Sequence, residues 1–119
     1  MPVIETPEYI AAARTAVREE DAMFLTAVME GRYTDGYPES EGKNALRVAA
    51  GDMATIASPL DFVALNIYAP NYVRADTGPS GYKILPRLPS SPRMASPWLH
   101  VGPEVAYWGV RTVSELWNR

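Results

Sequence analysis

Few side chains in this sequence are placed to do chemistry, and the most suggestive are Asn66 and Tyr68. They occupy alternate positions at the end of an apolar run, so an amide and a phenol share one side of an extended segment. Polar groups at the exit of an otherwise apolar strand can line a site, or they can close a strand end by hydrogen bonding to backbone. Trp98, on a segment flanked by prolines, reads either as core or as an exposed indole. His100 is the single histidine, which argues against a catalytic triad or an imidazole metal site; it reads as structural or solvated. Glu104 stands in the first turn of a helix, where the dipole favours a carboxylate without any catalytic role. Trp108 and Trp117 fall at helical spacing and read as core residues.

The elements that must position these groups follow from pattern. A first helix starts at Thr6 as N-cap and Pro7 as first helical residue. Ile10, Ala13, Val17, Phe24 and Val28 form its apolar stripe, and Gly31 stops it. Asp21 falls on that stripe; it reads first as a capped or paired carboxylate, and otherwise as a break or a hydrogen bond into the core. Arg14, Arg18, Glu19 and Glu20 read as a solvated helix face. Residues 32–47 read as a surface loop, and 50–57 as a short helix ended by Ser58-Pro59. The run Leu60–Tyr68, bounded by Pro59 and Pro70, reads as a buried strand. Val63, Leu65 and Ile67 form one apolar face suited to helices. Phe62, Ala64, Asn66 and Tyr68 form the other, which turns polar only at its end, as a strand of a β/α barrel requires.

Residues 72–76 and 81–85 are predicted to pair as a hairpin around Thr77-Gly78-Pro79-Ser80. Pro86, Pro89, Pro92 and Pro97 hold the next stretch irregular. Gly102-Pro103-Glu104 opens a last helix, with Ala106, Val110, Val113 and Trp117 on one side and no evident C-cap. One confident strand cannot close a sheet by itself, so the chain reads as cut from something larger.

With 119 residues the chain has room for one domain. Its composition, 47% hydrophobic and 21% charged, is that of a globular protein. The net charge of −3 is spread without a basic cluster, so neither nucleic acid nor an anionic membrane is an expected partner. The sequence contains no cysteine, which excludes disulfides and thiolate metal sites. No signal-peptide pattern opens it, and a cytoplasmic location is the default expectation. No cofactor and no metal are called for.

Asp61-Phe62-Val63-Ala64-Leu65-Asn66-Ile67-Tyr68 resembles the Asp-Phe-hydrophobic-Gly-hydrophobic-Asn-Tyr-Tyr strand of family 1 glycoside hydrolases, the β-glucosidase family. Tyr72-Val73-Arg74-Ala75-Asp76 is similar to the stretch that follows it in bacterial members. Pro97-Trp98-Leu99-His100-Val101-Gly102-Pro103-Glu104 resembles the Trp-containing loop that leads to a Pro-Glu helix start. Upstream, Phe24 to Tyr33 resembles a Phe-Leu-Asp-Pro-Leu segment ending in Gly-x-Tyr, with Gly31-Arg32-Tyr33 aligned. Ala64 replaces the usual Gly and Ile67 a common Tyr.

The resemblance implies an α/β fold, a partial (β/α)8 TIM barrel of about two β/α units with a hairpin and long loops. It implies hydrolysis of β-glycosides with retention of configuration, by two carboxylates about 5 Å apart. In the family these lie in an Asn-Glu-Pro motif and in a Thr/Ser-Glu-Asn-Gly motif. Neither core tripeptide occurs here, so no catalytic residue is assigned and the isolated chain is expected to be inactive. On the resemblance, Tyr68 would hydrogen-bond and orient the missing nucleophile, Asn66 would lie near the sugar, and Trp98 would stack on the leaving-group side. The expected partners are a β-glycoside, in a full-length context, and missing barrel parts or a second copy. The alternative is a stand-alone carbohydrate-binding module derived from the barrel.

Overall fold

The structure, a computed structural model, describes residues 1–118 and divides the chain into two compact units. One comprises Met1–Ala16 with Ala64–Arg119, the other Val17–Val63.

The first unit is built on helix α1 (Pro7–Ala16) and a hairpin of β1 (Val73–Ala75) and β2 (Tyr82–Ile84). The predicted cap is in place, with Thr6 Oγ1 accepting from the Tyr9 N–H at 3.4 Å. Ala12, Ala13 and Ala16 bury one side of α1 against Val73, with Ala75 and Tyr82 packed at the margin. Three methyl side chains let helix and hairpin approach closely, so a short pair of strands can be covered by a short helix. Val73 pairs with Ile84, Arg74 with Lys83 and Ala75 with Tyr82. Asp76 N–H to Gly81 C=O (3.1 Å) and Leu85 N–H to Tyr72 C=O (2.8 Å) extend the pairing to the limits expected from the sequence.

The other edge of β1 is taken by the first residues of the chain. The Val73 N–H donates to Met1 C=O at 2.8 Å and the Val3 N–H to Val73 C=O at 2.9 Å. Pro2 hides this parallel bridge from any strand pattern, because proline lacks a ladder donor.

Residues 60–68, expected as a strand, carry no ladder hydrogen bond among the described residues. A strand needs a neighbour, and β1 already has one on each side. The expected burial holds only at the end of the run, where Leu65 and Ile67 are half-buried and Asn66 and Tyr68 exposed; Leu60, Phe62 and Val63, expected to be buried, are exposed.

Helix α5 (Glu104–Trp117) opens as predicted, but it buries a different side. Trp108 and Thr112 face inward, while Val110 on the expected stripe is 60% exposed. Gly109 turns this side in: a Cβ there would lie 2.6 Å from Ile67 Cδ1. Asn118 supplies a C-cap that the sequence reading lacked, in the left-handed conformation with its N–H on Ser114 C=O at 2.7 Å. Arg14 is also not a free surface charge. Its Nε donates to Glu115 Oε2 of α5 at 2.8 Å, and Arg111 Nε donates to Glu115 Oε1 at 2.8 Å. Hydrogen bonds from Arg111 and Arg14 hold the Glu115 carboxyl below the usual carboxylate range.

In the second unit, Val17–Asp21 forms a π-helical turn before α2 (Met23–Glu30). The Ala22 N–H reaches back five residues to Val17 C=O at 2.7 Å, and Thr26 Oγ1 caps the displaced Arg18 carbonyl at 3.1 Å. The helix is therefore broken near Asp21, the less favoured of the readings offered for that residue. In α2, Thr26 and Ala27 are buried, while Phe24, expected in the core, is 64% exposed. Arg18 and Glu30 pair in a fork (2.9 and 2.5 Å), so Arg18 is not solvated either. Gly31 ends α2 in the left-handed conformation. Short helices α3 (Gly36–Glu41) and α4 (Asp52–Ile56) follow, α4 inside the predicted limits. Among the described residues no helix is long and apolar enough to cross a membrane.

Val73→Ala is expected to lower stability by about 2 kcal/mol, because it empties the centre of the first unit. Val110→Ala should change it by less than about 0.5 kcal/mol. Urea midpoints followed by helical circular dichroism measure both, and a larger loss at Val110 would return the predicted stripe of α5 to the core.

Candidate functional site

Of the three residues marked by the sequence, the structure brings Tyr68 and Trp98 together. Their ring centroids are 5.8 Å apart at an interplanar angle of 71°, an edge-to-face pair. Such contacts contribute about 0.5–1.5 kcal/mol beyond area burial. The rings nevertheless stay open to solvent, Tyr68 at 62% and Trp98 at 57%. Asn66 is exposed two residues before Tyr68, in the same alternation.

Two close approaches bring these segments together. At the first, Ile67 lies against Gly109 of α5, so its neighbours Asn66 and Tyr68 are left outward. At the second, Gly102 sits against Pro70, where a Cβ would come within 2.4 Å of the ring Cγ. Gly102 stands at the foot of a small turn whose arms pair around Arg93 and His100. Met94 N–H to Leu99 C=O (3.0 Å) and Val101 N–H to Pro92 C=O (3.0 Å) hold the arms. Leu99 N–H to Ser96 C=O (3.0 Å) closes the tip that presents Trp98. Pressing the foot of this turn onto Pro70 carries its tip to Tyr68.

Arg87, which the sequence reading passed over, joins the two sides. Its Nη1 donates to Trp98 C=O at 3.1 Å and its Nη2 to Asn71 Oδ1 at 3.4 Å. The only signal in the sequence is a lone charge in Pro86-Arg87-Leu88-Pro89, a stretch otherwise without hydrogen-bonding side chains.

His100 is not solvated. It is 7% exposed, and its Nδ1 has no hydrogen-bond partner among the described residues. Burial first, then the positive charges of Arg87 and Arg93, push its pKa below the ordinary 6.5. It is therefore neutral at pH 7 and packs as an aromatic under the turn.

An indole, a phenol and an amide can stack on a ligand and hydrogen-bond its hydroxyl groups. They do not amount to the paired carboxylates that cleave glycosidic bonds. Among the described residues no cluster of three or more His, Cys, Asp or Glu could hold a metal ion.

Comparison with known proteins gives this geometry a context. No protein-family model matches the chain. A 1,4-β-D-glucan glucohydrolase of Thermotoga neapolitana is 31% identical over 119 residues, 98% of this chain and 27% of that protein. The solved family 1 β-glucosidase of Thermotoga maritima matches with a TM-score of 0.64 and 28% identity, over 99% of this chain and 26% of that one. The same β-glucosidase in complex with glucoimidazole matches equally, at a TM-score of 0.64. The chain thus spans about a quarter of the length of the relatives it matches.

Gly102→Ala is expected to lose about 1–3 kcal/mol, since a proline ring cannot swing aside from the new methyl. Near-ultraviolet circular dichroism should show the Tyr68–Trp98 contact weakened; an unchanged spectrum and midpoint would contradict the close approach. His100 makes a separate prediction. Its folded-state pKa lies below the ordinary 6.5, so the unfolded chain binds the proton first. Stability should then fall as pH drops from that value through the folded pKa. Denaturation midpoints between about pH 5 and 8 measure the slope, and His100→Phe should flatten it.

Proposed function

On the premise that this chain matches family 1 β-glucosidases over nearly all its length and spans about a quarter of theirs, we propose that it is a segment of a retaining β-glycoside hydrolase. The observation that carries the reading is the solvent-open apposition of Tyr68 and Trp98, two side chains that the family resemblance independently assigns to the active site. In this reading residues 1–119 are one incomplete piece of a (β/α)8 barrel, about two β/α units. Residues 60–68 make no ladder bonds among the described residues because their strand partners belong to the rest of the barrel.

Retaining hydrolysis proceeds through a covalent glycosyl-enzyme, with one carboxylate as nucleophile and one as acid/base, about 5–5.5 Å apart. The Tyr68 phenol would donate to the nucleophile, stabilising its charged form and fixing its angle. The Asn66 amide would hydrogen-bond near the sugar. The Trp98 indole would stack on the leaving group, where a flat aryl or pyranose face meets a flat apolar one. The partners are then a β-glycoside and the remaining barrel, with no role for nucleic acid, in a cytoplasmic setting.

The purified chain should show no turnover of p-nitrophenyl β-D-glucoside, because neither motif that carries a catalytic glutamate occurs in it. Turnover that persists through purification of the 119-residue chain would contradict this.

The exposure of the ring pair also favours a second reading, a free-standing sugar-binding module. Titration of tryptophan fluorescence with cellobiose decides between them. Saturable quenching at millimolar sugar, abolished by Trp98→Ala, supports the module. A flat response supports the segment.

A further inference from the structure

We infer that Arg87 is a positioning residue that sets the angle of the Trp98 indole by tying the Trp98 turn to the segment that carries Tyr68. The functional consequence rests on the reading of Trp98 as a glycoside platform; the geometric claim does not.

The argument begins with what holds Trp98 in place. Its turn is internally bonded, by Leu99 to Ser96 at the tip and by Met94 to Leu99 and Val101 to Pro92 along the arms. Those bonds fix the shape of the turn, and the Gly102–Pro70 contact fixes its foot. Neither fixes how far the tip leans toward Tyr68. Arg87 reaches both sides of that gap. Nη1 holds the carbonyl of Trp98 itself at 3.1 Å, and Nη2 extends to the side chain of Asn71, three residues past Tyr68, at 3.4 Å. Asn71 is itself anchored, since its carbonyl accepts from the Met1 nitrogen at 2.7 Å beside β1. The guanidinium therefore links a fixed point next to the sheet with the backbone of the residue that carries the indole.

Two features separate this role from general stabilisation. Arg87 is exposed, so its removal uncovers no core. Both of its hydrogen bonds among the described residues go to the Trp98 turn and the Asn71 segment, and neither returns to the irregular stretch 86–89 that carries it. A planar fork is also what the geometry requires: two acceptors on different segments are held by two nitrogens at a fixed separation, which an ammonium group does not offer. The same charge lies close enough to His100, beneath the turn, to disfavour its protonation. Charge and geometry at Arg87 can thus be read separately in one protein.

The test compares Arg87→Lys and Arg87→Met in the full chain by NMR. In the parent protein the Trp98 indole should show nuclear Overhauser contacts to the Tyr68 ring. Both variants should lose or weaken them while the Val73–Ile84 cross-strand contacts and the Trp108 signals stay unchanged. His100 should titrate at a higher pH in Arg87→Met but not in Arg87→Lys, because only the former removes the charge. Where the parent chain binds phenyl β-D-glucopyranoside, followed at the Trp98 indole, both variants should bind it between about threefold and tenfold more weakly.

Retention of the Trp98–Tyr68 contacts in Arg87→Lys would overturn the inference. So would a parallel loss of ring and cross-strand contacts in Arg87→Met, which would make Arg87 a general stabiliser. If the parent chain does not bind the glucoside, the stand-alone module reading fails, and the ring contacts still decide the role of Arg87.

Discussion

The approach of Gly102 to Pro70, with room for a hydrogen and not for a methyl, constrains the ring-bearing half of the chain more than any single hydrogen bond does. Pro70 follows Tyr68 by two residues, and Gly102 closes the turn that presents Trp98. Two aromatic side chains far apart in sequence therefore meet because two rigid backbone points are pressed together beneath them. The contact between Ile67 and Gly109 acts in the same sense. By holding Ile67 against α5 it leaves Asn66 and Tyr68 on the open side. Small residues at both crossings let backbone approach decide which segments meet.

Behind these crossings lies the Val73 core. β1 takes hydrogen bonds on both edges, from β2 and from Met1–Val3, and α1 covers it with alanines. This sheet is small and antiparallel, and residues 60–68 do not join it. In a complete barrel those residues would be flanked by parallel strands, and both of their apolar faces would be covered, as parallel sheets require. The exposure of Phe62 at 81% accords with a segment whose neighbours lie elsewhere.

Much of this was legible in the sequence where the signal is local. The hairpin limits follow from turn residues between two β-prone runs, the start of α1 from Thr6-Pro7, and the disturbance at Asp21 from a charge on an apolar stripe. The alternation that leaves Asn66 and Tyr68 outward was also readable. What could not be read depends on partners distant in sequence. At the π-turn the Thr26 hydroxyl donates to the Arg18 carbonyl, eight residues back, which no apolar spacing announces. The buried side of α5 is chosen by Gly109 meeting Ile67, so a helix with apolar residues on more than one side was assigned the wrong one. Arg87 carries no motif, and its role arises only when the Trp98 turn folds over it.

The most direct measurement is a graft. The matched quarter of the Thermotoga maritima β-glucosidase would be replaced by this chain, with the remainder of that enzyme left intact, and hydrolysis of an aryl β-glucoside measured. If the chain is a working piece of such a barrel, the folded chimera should turn over substrate, and Tyr68→Phe should lower kcat by about 10²–10³. A chimera that folds cooperatively yet lacks activity, or whose activity is indifferent to Tyr68, would contradict the assignment.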